Sequence, residues 1–188
     1  MAPKNKKSVY QIKITLQDSK PPIWRRVLVH SDTSLGKMHY IIQAVMGWWD
    51  SHLHQFIVGR TYYGPANSPY EDFMETQDEA KIKLSQIGGA GTKFIYEYDF
   101  GDSWRHILEV EKVLEPEPGQ EYPICLKGKR ACPPEDVGGV WGYEDFVEAI
   151  QNPDHPEHDE YLEWVGDEFD PEKFDLDAAN AELQELRL

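Results

Sequence analysis

The chain predicts an α+β fold: a β-grasp-like mixed sheet with one main helix, followed by acidic helices packed onto it. Three observations carry this. Tyr10, Ile12, Ile14 and Leu16 alternate with Gln11, Lys13, Thr15 and Gln17, the period of a strand with one buried face. Leu35, Met38, Ile42, Val45 and Trp49 recur at helical spacing, with Ile41 and Met46 widening the stripe. Apolar residues on alternating positions then return on both sides of Phe100-Gly101-Asp102-Ser103.

The first strand stops at Asp18–Pro22, because Pro21-Pro22 cannot continue a ladder. Ile23–His30 reads as the partner strand of a hairpin. Arg25 and Arg26 fall on opposite faces of it, so one of them approaches the core, and a buried arginine calls for a carboxylate. Asp32-Thr33-Ser34 supplies N-cap candidates and Gly47 a C-cap, which places the main helix over 35–46. Ser51–Val58 is the next strand, with His52 and His54 on one face. Arg60–Pro69 reads as a loop and Tyr70–Ala80 as an acidic loop. Ile82–Ile87 fits a short strand or one helical turn. Gly88, Gly89 and Gly91 do not form a phosphate loop, because no Gly-Lys-Ser/Thr follows.

The densest group of titratable residues lies in the next hairpin, from Lys93 to about Val113. Phe94, Tyr96, Tyr98 and Phe100 share one face of its first strand; Trp104, His106, Leu108 and Val110 share one face of its second. Gly101 offers the backbone freedom of a tight reversal. Asp99, Asp102 and His106 therefore crowd one turn. With His52 and His54 they form a pool of ligands and bases suited to Zn²⁺ or Mn²⁺. A second possible thiol contribution comes from Cys125 and Cys132, although Cys-x6-Cys is not a zinc-finger spacing. Tyr122–Gly139 reads as irregular.

Helices follow at Tyr143–Ile150, Glu157–Val165 and Leu176–Leu188, each with an apolar stripe. The expected organisation is a core over 8–142 and a docked acidic extension over 143–188 within one domain. Charge divides at nearly the same place. The net charge is -15; residues 1–140 carry 17 basic against 18 acidic side chains, and residues 141–188 carry 2 against 16. Such a surface disfavours non-specific nucleic-acid binding. No run of about 18 apolar residues exists to span a membrane. The N-terminal lysines lack an apolar stretch behind them, and two cysteines cannot frame a secreted disulfide scaffold, so a cytoplasmic protein is expected.

Four blocks carry a family resemblance: Pro22-Ile23-Trp24-Arg25-Arg26; Met46-Gly47-Trp48 leading to His52-Leu53-His54-Gln55-Phe56; Tyr98 through Trp104 with His106; and Ala131-Cys132-Pro133-Pro134-Glu135-Asp136-Val137-Gly138-Gly139 leading into Trp141-Gly142-Tyr143. In this order they resemble the Ri-plasmid open-reading-frame-3-like proteins, also described as insertion-element passenger or resolvase-like. The resemblance implies a plasmid or mobile-element association and no established reaction. The chain departs from it at Val137, where members often carry a third cysteine. A serine recombinase would need a nucleophilic serine among arginines and a helix-turn-helix, and neither stands out.

Two functional readings follow. The first is a binding or accessory module for a protein or peptide partner, with Arg25, Arg26 and Trp104 as contact residues among abundant aromatics. The second is a metal-dependent hydrolase or nuclease built on the histidine and aspartate pool.

Overall fold

The computed structural model describes residues 7–66, 76–166 and 169–186. Eight strands, β1 (Val9–Leu16), β2 (Trp24–His30), β3 (His54–Val58), β4 (Thr61–Gly64), β5 (Thr76–Asp78), β6 (Lys93–Tyr98), β7 (Trp104–Leu114) and β8 (Ile124–Lys129), form one sheet. Their order is β5-β4-β3-β6-β7-β1-β2-β8. All neighbours are antiparallel except β4 and β5, so the sheet is mixed. Five helices accompany it: α1 (Leu35–Met46), α2 (Leu84–Ile87), α3 (Gly139–Gln151), α4 (His158–Val165) and α5 (Leu176–Glu185). A single 3-10 turn spans Glu79–Lys81.

The β1–β2 hairpin pairs Thr15 with Trp24 and Val9 with His30. Helix α1 keeps both of its expected ends. The Ser34 side chain accepts from the Lys37 N–H, and Gly47 closes the helix in the left-handed region at φ 99°. The apolar stripe of α1 covers one face of the sheet, where Ile12, Ile14, Val27, Phe56, Tyr96 and Leu108 are fully buried.

The opposite face carries paired polar side chains. Arg26 holds Glu111 in a two-point contact, Nε to Oε2 at 2.7 Å and Nη2 to Oε1 at 2.8 Å, and Gln11 donates to the same carboxylate at 2.7 Å. Hydrogen bonds from Arg26 hold the Glu111 carboxyl down at about 2. Its folded pKa lies below its unfolded value, so this stabilisation is complete above about pH 4.3 and is lost as pH falls toward 2. Glu111→Gln is expected to cost about 1 kcal/mol at pH 7 and almost nothing near pH 2, read by urea unfolding at the two pH values.

Several expectations are corrected. Arg60–Pro69 contains strand β4, and the supposedly irregular Tyr122–Gly139 contains β8. Of the two readings of Ile82–Ile87, the helical turn is the one found, as α2. The third strand starts at His54, so His52 lies before it. The supposed acidic loop Tyr70–Ala80 contains β5 over Thr76–Asp78 and the start of the 3-10 turn at Glu79, while residues 70–75 lie outside the described residues, as do 187–188 of the last helix. The β6–β7 reversal does not use Gly101 for its left-handed positions; Asp99 (φ 55°) and Ser103 (φ 54°) take them. Asp99 stabilises this itself, since its Oδ1 accepts from the Gly101 N–H at 2.9 Å.

The two proposed contact residues Arg25 and Trp104 are corrected as well: they are 1% and 0% exposed. Arg25 is held without a carboxylate. Its Nε donates to the Val45 carbonyl at 2.7 Å and its Nη1 to the Trp24 and Lys129 carbonyls at 2.9 and 3.1 Å. Val45 lies in the last turn of α1, where the helix dipole is negative. The Phe174 ring covers the guanidinium at 4.0 Å. Gly128 makes that possible, because a Cβ there would sit 2.5 Å from the Phe174 ring and 2.8 Å from Arg25 Cδ.

Candidate functional site

The predicted site residues do not meet in one place; they divide into three environments. The first is built on His52, in the segment between α1 and β3. Its Nδ1 lies 3.7 Å from Asp99 Oδ2, and its Nε2 lies 3.2 Å from Asp136 Oδ1 and 3.8 Å from Glu135 Oε2. One donor atom from each of His52, Asp99 and Asp136 falls within 4.8 Å of the others. Three segments are brought together here: the residues before β3, the β6–β7 turn, and the loop before α3.

That last loop is pinned on both sides. Trp48 Nε1 donates to the Pro133 carbonyl at 3.0 Å. Glu135 Oε1 accepts from the Trp49 N–H at 2.8 Å and from the Tyr98 hydroxyl at 3.0 Å. Asp102 Oδ2 accepts from the Gly138 N–H at 3.0 Å. The neighbouring Gly139, at φ 73°, has no room for a side chain, since a Cβ would lie 2.6 Å from the Asp102 carbonyl oxygen. Asp102 thus fastens the turn to the start of α3 and is not part of the histidine cluster.

The second environment holds His54. It stacks on His39 with ring centroids 3.5 Å apart and planes at 6°, and its Nε2 lies 3.0 Å from Glu79 Oε2. His39 contacts Asp50 Oδ1 through Nε2 and the Tyr96 hydroxyl through Nδ1, both at 2.8 Å. Burial, and secondarily the neighbouring His54, push His39 down to about 2, which keeps it neutral. Burial raises the Asp50 carboxyl above its usual range, with Glu135 and Glu79 adding to the rise and His54 opposing it. Asp50 therefore lies within electrostatic reach of both environments.

The third is the core. His106 is 0% exposed, and its Nδ1–H donates to the Trp104 carbonyl at 3.0 Å. Its ring packs on Trp48 and Tyr96 at 5.3 and 5.7 Å. It belongs to neither cluster and so stands apart from the rest of the histidine and aspartate pool read from the sequence. Cys125 and Cys132 lie near Arg25, are not members of either histidine–carboxylate group, and have their thiols pushed up by burial.

Asp50, Asp99 and Asp136 share a further property. They stand at φ 55°, 55° and 61°, left-handed positions that are uncommon for residues other than glycine. Three of the six such residues among those described are thus carboxylates of this region. Sequence reading missed His39, Asp50, Glu79, Glu135 and Asp136. For His39 a signal was present: with Gln43 it is a polar residue set beside the apolar stripe of α1.

Fold and site together define a mixed α+β protein with a histidine–carboxylate region at one end of its sheet. The chain belongs to the plasmid pRiA4b ORF-3-like protein family, whose model matches residues 8–178. It is 39% identical over 181 residues to the uncharacterized protein y4hQ of Sinorhizobium fredii (strain NBRC 101917 / NGR234), covering 95% of this chain and 89% of that one. Its fold is similar to the crystal structure of MM3350, a protein of unknown function from Methanosarcina mazei Go1. There the TM-score is 0.81 at 39% identity, over 91% of this chain and 97% of that one. No helix among the described residues is long and apolar enough to cross a membrane.

Proposed function

We propose that the protein is a metal-dependent hydrolase acting on a protein or peptide, with Zn²⁺ or Mn²⁺ held by His52, Asp99 and Asp136. One observation carries the reading: carboxylates of Asp99, Glu135 and Asp136 close on a single imidazole at 3.2–3.8 Å. His52 Nε2 is a buried atom that makes no hydrogen bond. Two of the three separations are too long for hydrogen bonds. The two at Nε2, 3.2 and 3.8 Å, approach the ligand–ligand distance of about 3.4 Å expected around a tetrahedral cation with bonds near 2.1 Å, whereas Asp99 lies against Nδ1 and would have to turn toward an ion held by Nε2. None of these carboxylates takes part in an ion pair with lysine or arginine among the described residues. A cation at their centre would compensate that charge.

A bound divalent ion supplies an activated water at neutral pH. Glu135 stands ready as a base, because Oε1 is fixed by Trp49 and Tyr98 while Oε2 faces His52. Access is open, with the Asp136 side chain 71% exposed. Substrate class follows from the rim. Trp49 and Trp141 are 86% and 75% exposed, and they belong to segments adjoining His52 and Asp136. Exposed indoles suit side chains of a polypeptide, whereas the surrounding carboxylates repel phosphodiesters. Burial of Arg25 and Trp104 leaves Arg26, itself paired with Glu111, as the one part-exposed residue of the contact set a binding module would use.

The test is cleavage of an unfolded, fluorescently labelled polypeptide by protein loaded with Zn²⁺ or Mn²⁺. Turnover should stop on chelation, and His52→Ala should lower the affinity of the His52 site for the ion by at least about tenfold. A protein that holds an ion at His52 yet cleaves nothing would refute the hydrolase. A His52→Ala variant with unchanged ion affinity would refute the centre.

A further inference from the structure

We infer that a second, largely buried cation site, open to solvent at Asp50, is built from His39, Asp50 and His54, with Glu79 as the fourth ligand, and that it takes Zn²⁺. It does not rest on the hydrolase reading, because it shares no ligand with the His52 group.

The residues come from four segments. His39 stands in α1, Asp50 follows that helix, His54 opens β3, and Glu79 begins the 3-10 turn. His39, His54 and Glu79 are buried, at 1%, 8% and 6% exposure. One ligand atom from each of His39, Asp50 and His54 lies within 4.8 Å of the other two. The two imidazoles face each other in parallel at 3.5 Å, and each has a carboxylate against its Nε2: Asp50 at 2.8 Å and Glu79 at 3.0 Å. Two nitrogens and two carboxylate oxygens are a donor set of intermediate softness, which suits Zn²⁺ in four-coordination.

The surroundings fix His39 and Asp50 from behind, and the stacked rings need only turn for their in-plane nitrogens to point at one ion. His39 turns its other nitrogen to the Tyr96 hydroxyl at 2.8 Å, and that hydroxyl also accepts from Gln43 Nε2 at 3.0 Å. Gln43 Oε1 in turn accepts the Asp50 N–H at 2.9 Å, which holds Asp50 in its left-handed conformation at φ 55°. Fixing the remote imidazole nitrogen and the backbone of a carboxylate ligand is the usual outer-shell arrangement around protein-bound zinc.

The competing account is a closed hydrogen-bond network, with Gln43 donating to Tyr96, Tyr96 to His39, and His39 to Asp50. It satisfies His39 and Asp50 but leaves the buried Glu79 carboxylate drawn toward the second of two stacked imidazoles. Entry of Zn²⁺ would need only side-chain movement, displacing the His39–Asp50 and His54–Glu79 contacts.

The experiment is titration of chelator-stripped full-length protein with Zn²⁺ alone, read by bound metal per chain and by thermal unfolding. Visible absorption after Co²⁺ substitution reports the ligand geometry. Wild type is expected to bind two ions, and His52→Ala and His54→Ala one each. Asp50→Asn and Glu79→Gln, which keep shape and burial, should weaken the His54 site at least tenfold while circular dichroism stays native. One ion in wild type, lost in His54→Ala and kept in His52→Ala, upholds this site and removes the hydrolytic centre. One ion lost in His52→Ala and kept in both His54→Ala and Asp50→Asn overturns it and leaves the hydrolase standing. No bound zinc in wild type overturns it outright.

Discussion

Deletion of residues 143–188 is expected to leave a chain that aggregates or fails to fold, despite the strong acidity of the segment removed. Its apolar stripes are not surface decoration. Phe146 and Ala149 are 0% exposed and Leu183 2%. Phe146 is enclosed by Tyr161, Phe169 and Trp164, with ring centroids 5.3, 5.4 and 5.9 Å away. Helix α5 also finishes the sheet. Asn180 Oδ1 accepts from the Cys125 N–H at 2.8 Å, and its Nδ2 donates to the Cys125 carbonyl at 3.0 Å, so one amide side chain occupies the free edge of β8. Truncation removes that cap, uncovers Arg25 by deleting Phe174, and exposes the surface under Phe146 and Leu183. Burial of each large apolar side chain contributes about 1.5–3 kcal/mol, and several are lost against a total stability of about 5–15 kcal/mol. The single change Phe146→Ala in the full chain should cost about 3–5 kcal/mol. Solubility and thermal unfolding of chain 1–142 beside full-length protein decide it. A soluble truncation with an unchanged melting temperature would show that the extension is independent of the sheet.

What the sequence made legible is what local chemistry determines. Helix α1 could be placed to the residue because Ser34 and Gly47 write its ends and the stripe between them has one period. The first hairpin followed from alternation and Pro21-Pro22. Strand β8 escaped because little in Ile-Cys-Leu-Lys-Gly-Lys alternates; its existence depends on pairing with β2 and on a cap supplied by Asn180, 55 residues away. Trp104 and Arg25 were misplaced for a related reason. Neither residue type reveals which face of a sheet will be covered, and Arg25 found its compensation in carbonyl oxygens that no sequence pattern displays. His52 and His54, read as a same-face pair, separate because the strand begins only at His54. The site was therefore half legible: His52, His54 and Asp99 were recognised by type, while Asp50, Glu79, Glu135 and Asp136 arrive from loops whose positions are set by tertiary contacts.

Acidification should destabilise the protein from about pH 6.5 downward, and His106 should account for much of the slope. Burial pushes this imidazole down to about 3, against an ordinary value of 6.5. A histidine whose folded pKa is depressed is neutral in the fold and protonated in the unfolded chain throughout the interval between those values. Unfolding then takes up a proton, so stability is full above pH 6.5 and falls by about 1.4 kcal/mol per pH unit until the folded pKa is reached. At pH 5 the expected loss from His106 alone is about 2 kcal/mol. The environment explains why the fold resists protonation: Nδ1–H already serves the Trp104 carbonyl, and Nε2 is buried with no hydrogen-bond partner. No carboxylate lies against it to welcome an imidazolium. His39, pushed down to about 2, contributes a slope of the same sign, so the share of His106 is read from the difference between wild type and a His106 variant. Urea unfolding of wild type and of His106→Gln between pH 7.5 and 4 provides the measurement. The variant starts from lower stability, because it disturbs a closely packed row of rings, yet its stability should decline less steeply by about 1.4 kcal/mol per unit below pH 6.5. Equal slopes in the two proteins would mean that His106 is protonated without penalty in the native core, which its burial against Trp48 and Tyr96 forbids.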